Sequence, residues 1–482
     1  MRWNYLINII GVLIVFLGLV MTFPLICSLW FKDQSLSAFL YSMGITILSG
    51  IILIFSSRRP TIDYISQREA MAIVALGWTA IGFFGALPFY TGGAMPFFTD
   101  AFFESVSGFT TTGSSVLTNI QGVSKSLLFW RSFIQWLGGM GIIVLSLAIL
   151  PYLGVGGMQL FKAEVPSPVP DKLAPRLSES AKILWYVYAS ISLFEVIFLL
   201  AGGMDLYDAL CHAFTTMPTG GFSTKNASIA HFNSPYIEYT IVFFMVMAGI
   251  NFSLHYQLLR GRTLIFWRDS ECRFFLFLLM VLTLIVSVSL YGSVYGSGSD
   301  AFRYALFQVV SIVTTTGYAT ADYEMWPGAS QVIIFICMFI GASAGSTGGG
   351  MKCARIMVAF KYCYRELFTL VHPRSVSSVK INNSAVPEAV LKSIMGFLAI
   401  YIGLFVFFSI VVSLLGVDMV TAFASVASCI GNIGPGFGTV GPAENFAHIP
   451  QAVKWVLTLC MLLGRLEIYT FIILFVPEFW KK

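Results

Sequence analysis

Long apolar stretches, interrupted by short polar patches, dominate the chain. Ile9–Leu29, Ala38–Phe55, Ile183–Ala201, Phe274–Leu290 and Ile394–Leu415 each approach the ~20 residues that a helix needs to cross a bilayer. After two opening spans, one order of segments recurs four times. A long span is followed by a shorter apolar segment, a Gly/Thr/Ser patch, and another span. The patches align without gaps as AFFESVSGFTTTG (Ala101–Gly113), ALCHAFTTMPTGG (Ala209–Gly221), ALFQVVSIVTTTG (Ala305–Gly317) and AFASVASCIGNIG (Ala422–Gly434). Each begins Ala-Phe or Ala-Leu and carries glycine as its thirteenth residue. Repetition of one supersecondary unit at long period is an architectural signature.

Thirteen residues are too few to span a bilayer as a helix. The apolar first part predicts a half-membrane helix, and the polar or glycine-containing end predicts irregular backbone. Irregular backbone at membrane depth is tolerated only where it is buried in protein or lines a water-filled cavity. The patches therefore read as re-entrant turns. Their glycines supply a positive φ that other residues resist, so that backbone carbonyls can point at one axis. A ring of carbonyls replaces the hydration shell of an alkali cation.

The spans after the patches align as well: WLGGMG (Trp136–Gly141), VMAGIN (Val246–Asn251), FIGASA (Phe339–Ala344) and LLGRLE (Leu462–Glu467). Gly139 and Gly249 suit small-residue helix packing. In the third, GASAGSTGGGMK (Gly341–Lys352) holds five glycines. At roughly 1 kcal/mol per glycine, a continuous helix is not expected there, and a loop between two half-spans is. Arg465 falls inside the fourth, where a charge costs about 2.5–3.5 kcal/mol on insertion scales and usually has a function. An interhelical salt bridge and a cationic barrier next to the patches both fit it, and Glu467 is not an obvious helical partner.

Composition sharpens this picture. Hydrophobic residues make up 57% and charged residues 11% of the 482-residue chain, with mean hydropathy +0.82. A soluble domain carries about 25% charge, so the reading is an all-α polytopic membrane protein. Net charge is +5. Most of its Lys and Arg fall in the loops that would be cytoplasmic with the N-terminus inside: Arg2; Arg58, Arg59 and Arg68; Lys162 to Lys182; Arg260 to Arg273; Lys352 to Lys392; Lys481 and Lys482. The positive-inside rule then puts both termini in the cytoplasm. Basic residues that track membrane exits do not make a nucleic-acid surface, whereas they suit lipid head groups and a docking regulator. Asp100, Glu104, Asp208, Asp300 and Asp322 fall near the outer ends of the patches, where they would raise local cation concentration. Eight cysteines in no CxxC spacing and five histidines without ligand spacing give no disulfide framework or zinc site. No nucleophile, acid/base pair or organic cofactor motif stands out, so an enzyme is not expected.

These features together resemble the Trk/Ktr/HKT superfamily of potassium transporters. They are the four span–pore-helix–span repeats, the unlike single-glycine strands, the glycine-rich break in the third repeat and the arginine in the fourth. Within the superfamily the resemblance is to the bacterial TrkH/TrkG pore subunits, which share two extra N-terminal spans, and it covers essentially the whole chain. It implies a pseudo-fourfold pore in the bacterial cytoplasmic (inner) membrane and K⁺ as the transported ion. It also implies a homodimer and a cytosolic TrkA-type nucleotide-binding regulator. The filter residues it implies are Thr111, Thr112 and Gly113; Gly220 and Gly221; Thr315, Thr316 and Gly317; Ile433 and Gly434. The gate residues it implies are Arg465 with Gly345, Gly348, Gly349 and Gly350. The implied division is 1–66 (two-helix extension), 67–152, 153–262, 263–385 and 386–482 (four repeats). A symporter coupling potassium to sodium or protons is the alternative, weakened by the scarcity of span carboxylates beyond Glu195 and Glu467.

Overall fold

A computed structural model describes residues 1–57, 66–141, 177–375, 377–382 and 384–480. The expected basic loop residues Arg58, Arg59, Lys162, Lys172, Arg176, Lys481 and Lys482, and the boundary at 152/153, lie outside the described residues. Helices dominate, and the sheet structure among described residues is one short antiparallel pair, Lys380–Ile381 with Ser384–Ala385. Among the described residues, six helices are long and apolar enough to cross a membrane, or up to eight if each bent pair counts as one span.

The two opening spans are Trp3–Phe31, broken at Met21, and Leu36–Ser56. Trp3–Val20 and Leu36–Ser56 meet where Gly11 and Gly50 face each other. A Cβ on Gly50 would stand 2.8 Å from the Gly11 carbonyl oxygen, the close backbone approach that small residues permit between membrane helices. Arg2 pairs with Glu69 at 2.8 Å. Glu69 also closes a capping box with Ser66 at the start of Gln67–Thr91, which ties the extension to the next span.

Four similar groups of helices follow. The first is Gln67–Thr91, the short helix Phe98–Phe109 and Lys125–Gly139. The second is Leu177–Ala201, Leu206–Thr216 and Pro235–Gly249, the last bent by 100° into Phe252–Leu259. The third is Ser270–Leu290, Gly298–Val313, Gly328–Ile340 and, after a break, Cys353–Val371. The fourth is Glu388–Leu414, Met419–Gly431 and Gln451–Arg465, the last bent by 116° into Tyr469–Phe475. The short helices are buried toward their C-terminal ends, whereas the long spans turn side chains such as Phe194, Phe277 and Leu414 outward. An apolar outer face around a polar interior suits hydrocarbon surroundings, since the polar groups are satisfied inside the protein.

Candidate functional site

Each short helix runs directly into its glycine-ended strand, and the four junctions are built alike. Counting each patch from its first alanine, position seven is Ser107, Thr215, Ser311 or Ser428. Its carbonyl accepts the N–H of position twelve in all four: Thr112 to Ser107 at 2.8 Å, Gly220 to Thr215 at 2.8 Å, Thr316 to Ser311 at 2.8 Å and Ile433 to Ser428 at 2.9 Å. The position-seven hydroxyl then holds the far side of three strands. Ser107 donates to Ser114 O (2.6 Å), Ser311 to Tyr318 O (2.7 Å) and Ser428 to Gly434 O (2.6 Å).

The strand backbone also repeats. Position eleven is left-handed in every copy, with φ of 54° at Thr111, 59° at Thr219, 61° at Thr315 and 53° at Asn432. The terminal glycines follow two residues later with φ of 83° (Gly113), 72° (Gly221), 80° (Gly317) and 107° (Gly434). A non-glycine residue at positive φ is strained, and four of them at one aligned position mark a geometry that the surrounding structure imposes.

The four strands stand side by side in cyclic order. A Cβ on Gly113 would overlap the carbonyl oxygen of Gly220, one on Gly221 that of Thr316, and one on Gly317 that of Ile433. One on Gly434 would come within 2.9 Å of Thr112 O, which closes the ring. Each expected glycine thus lies against the carbonyl of the residue before the next glycine. The C-terminal ends of the four short helices lead into this ring, and helix C-termini carry partial negative charge that favours a cation. Gly220 O also accepts a 2.7 Å bond from Gln135 Nε2. A carbonyl has two lone pairs, so one remains.

Bonds between neighbours lock the ring. Tyr318 OH meets Thr215 Oγ1 at 2.5 Å, joining the third strand to the second short helix. Tyr323 OH donates to Gly436 O at 2.8 Å, joining the third to the fourth. Asn432 Nδ2 donates to Thr112 Oγ1 at 2.9 Å and Ser114 Oγ to Gly434 O at 3.1 Å, joining the fourth to the first. In the loop beyond the third strand, burial pushes the Glu324 carboxyl up from its ordinary value, against the lowering effect of the Gly438 amide that it accepts.

The glycine-rich segment interrupts its span as expected and packs against the strand entrances. Gly349 N donates to Thr315 Oγ1 at 2.7 Å, and Thr347 Oγ1 donates to Met217 O at 2.9 Å. A Cβ on Gly348 would stand 3.0 Å from Thr314 O. Gly345 and Gly350 lie at the edges of this contact, Gly345 O accepting from Phe252 N at 3.0 Å. Arg465 reaches the same segment: it donates to Thr347 O at 2.8 Å and to Gly138 O and Gly139 O at 2.6 and 3.0 Å. Its partners here are backbone carbonyls. Glu467, where the chain turns at φ 54°, pairs with Arg355 instead. Glu271 accepts Ala344 N at 2.6 Å and Ala354 N at 3.0 Å, clamping both sides of the segment.

A family model described as "TrkH: Cation transport protein" matches residues 35–482. The chain belongs to the TrkH family of cation transport proteins. It is 42% identical over 485 residues to the Trk system potassium uptake protein TrkH of Halomonas elongata, with all of both chains covered. It is 42% identical over 486 residues to the protein of that name in Escherichia coli K12, again with all of both covered. The crystal structure titled "Potassium Transporter TrkH from Vibrio parahaemolyticus" matches with TM-score 0.90 at 38% identity, covering all of both chains.

For this TrkH-family chain, one expectation needs correction. The acidic residues expected to enrich cations at the mouth are largely committed elsewhere. Glu104 is buried against Arg131 (2.6 Å), Asp100 meets Lys454 at 2.7 Å, and Asp208 meets Lys225 at 2.8 Å. Apolar patterning does not report such pairings, because the partners are 17 to 354 residues apart. The expected interruption in the third group has counterparts in the others. Helices end at Gly139, Gly249, Ile340 and Arg465 alike. The position-seven hydroxyls were visible in the alignment itself, as Ser or Thr in all four copies.

Proposed function

We propose that the chain takes up potassium through a channel-like pore whose filter is the four-strand ring. The filter residues are Thr111, Thr112, Gly113, Gly220, Gly221, Thr315, Thr316, Gly317, Ile433 and Gly434. The observation that carries this reading is the ring closure, in which each terminal glycine abuts the carbonyl before the next. Main-chain oxygens so gathered exchange for the water around a dehydrated alkali ion. The relatives' names, potassium uptake proteins of the Trk system, support potassium as the cargo. Arg465 and the segment holding Gly345, Gly348, Gly349 and Gly350 form the gate: a guanidinium and a loop just below the filter, the loop bonded to Arg465 and to Thr315. The working unit is a homodimer in the bacterial inner membrane with both termini cytoplasmic, and a cytosolic TrkA-type nucleotide-binding subunit controls the gate. The basic loops support that orientation. The chain divides into the extension 1–66 and the repeats 67–152, 153–262, 263–385 and 386–482.

The test is rubidium uptake into proteoliposomes of the purified protein, with sodium as competitor. Saturable rubidium uptake that excess sodium barely inhibits supports the reading; equal competition by sodium opposes it. A proton-coupled symporter is the second reading, favoured by one observation. Glu195 lies fully buried in Leu177–Ala201 without a cationic partner among the described residues. Reversal potentials that shift with the proton gradient, and cease to do so in Glu195→Gln, would select it.

A further inference from the structure

Position four of the aligned patches carries a polar residue in every copy: Glu104, His212, Gln308 and Ser425. These side chains differ, and so does what they hold. His212 Nε2 meets Ser223 Oγ at 3.0 Å, Gln308 Nε2 donates to Ala321 O at 3.1 Å, and Ser425 reaches only Ala422 O of its own helix. Glu104 holds the most. It accepts Ser115 Oγ at 2.9 Å, Val116 N at 2.8 Å and Arg131 Nε at 2.6 Å. Arg131 in turn donates to Ser223 O at 3.0 Å, and its guanidinium lies 3.5 Å from the centroid of the Phe222 ring. Glu104 is 0% and Arg131 2% exposed.

We infer that Glu104 and Arg131 are a positioning pair that sets ion discrimination by fixing the strands leaving Gly113 and Gly221 relative to each other. This rests on the filter reading above. Neither group lies at the ring, so neither is assigned to touch the ion. The pair acts through residues two and three positions past Gly113 and one and two past Gly221. An ion pair buried this deeply is costly to assemble, and breaking it leaves an uncompensated charge. Here its two ends meet the strands that leave Gly113 and Gly221. Selectivity by carbonyls depends on how far the strands yield to a smaller ion, which a rigid cross-link between two quadrants limits.

The experiment measures the ratio of rubidium to sodium uptake in proteoliposomes for the wild type, Glu104→Gln, Arg131→Lys, Ser115→Ala and Gly317→Ser. Glu104→Gln is expected to lower the ratio severalfold. Arg131→Lys keeps the charge but loses the reach to Ser223, so it falls between that variant and the wild type. Ser115→Ala removes one donor to Glu104 without leaving a buried charge. It gives a small drop, and with Arg131→Lys it decides the matter if Glu104→Gln does not fold. An unchanged ratio in the folded variants, even with lower total flux, overturns the inference and leaves the pair a packing element. Gly317→Ser separates the two levels. If it abolishes discrimination while the pair variants do not, the filter stands and the pair's role falls. If it leaves the ratio unchanged, the filter reading itself falls.

Discussion

A side chain at Gly317 has no room. Its Cβ would overlap Ile433 O and stand 2.8 Å from Pro435 Cδ, at a φ of 80°. Backbone and a proline ring cannot swing aside as a flexible side chain can. Gly317→Ser is therefore expected to displace the Ile433 carbonyl and to loosen potassium selectivity, read as a fall in the rubidium-to-sodium flux ratio. Arg465 makes the opposite prediction. Its guanidinium bonds carbonyls on both the glycine-rich segment and the first group. Arg465→Ala removes that charge from below the ring and should raise rubidium flux; flux at or below wild type would sink the barrier role. Outside the spans, burial raises the Asp33 carboxyl, but hydrogen bonds from Ser28, Ser126 and Ser35 outweigh it and hold its pKa below the ordinary value. A depressed folded-state pKa contributes stability above the unfolded value and loses it as pH falls through the folded one. Asp33→Asn should thus lower the detergent melting temperature at pH 7, and the difference from wild type should shrink as the pH drops below the carboxylate range.

At the scale of elements, the short helix and its strand act as one piece, because position seven bonds the strand with its carbonyl and, in three copies, with its hydroxyl as well. Ser311→Ala frees Tyr318 O from the helix. It should broaden ion selectivity in rubidium competition while leaving the melting temperature within a few degrees, since one neutral hydrogen bond is worth about 1 kcal/mol. The apolar lengths and the thirteenth-residue glycines made the helices, the positive φ of those glycines and the break after Ile340 legible in the sequence. The left-handed residue at position eleven was not, because three copies carry threonine, which gives no hint of positive φ; Asn432 alone is of a type enriched there. The Glu104–Arg131 pair was not, because residues 27 apart in sequence read as an unrelated acid and base until two helices are packed together. The carbonyls of Thr347, Gly138 and Gly139 that Arg465 meets were hidden for a similar reason, because no side-chain pattern displays them.

At the scale of the molecule, the polar device sits inside and the apolar faces outside, and the groups of helices succeed one another around the ring. The strands differ in sequence, TTTG, PTGG, TTTG and GNIG, yet share backbone angles and the same bond from position twelve. The shared contacts explain how unlike sequences support one geometry. The fourth, with Ile433 and Pro435 around its glycine and only Ser425 at position four, depends on Tyr323 and Ser114 from its neighbours. The measurement that bears most directly on the whole is rubidium uptake by the purified wild-type protein in proteoliposomes, with sodium in excess. Rubidium accumulation that persists against sodium, and loses that preference in Gly317→Ser, is the predicted result. Uptake that never distinguishes the two ions, or a preference untouched by the glycine substitution, contradicts a carbonyl ring as the selecting element.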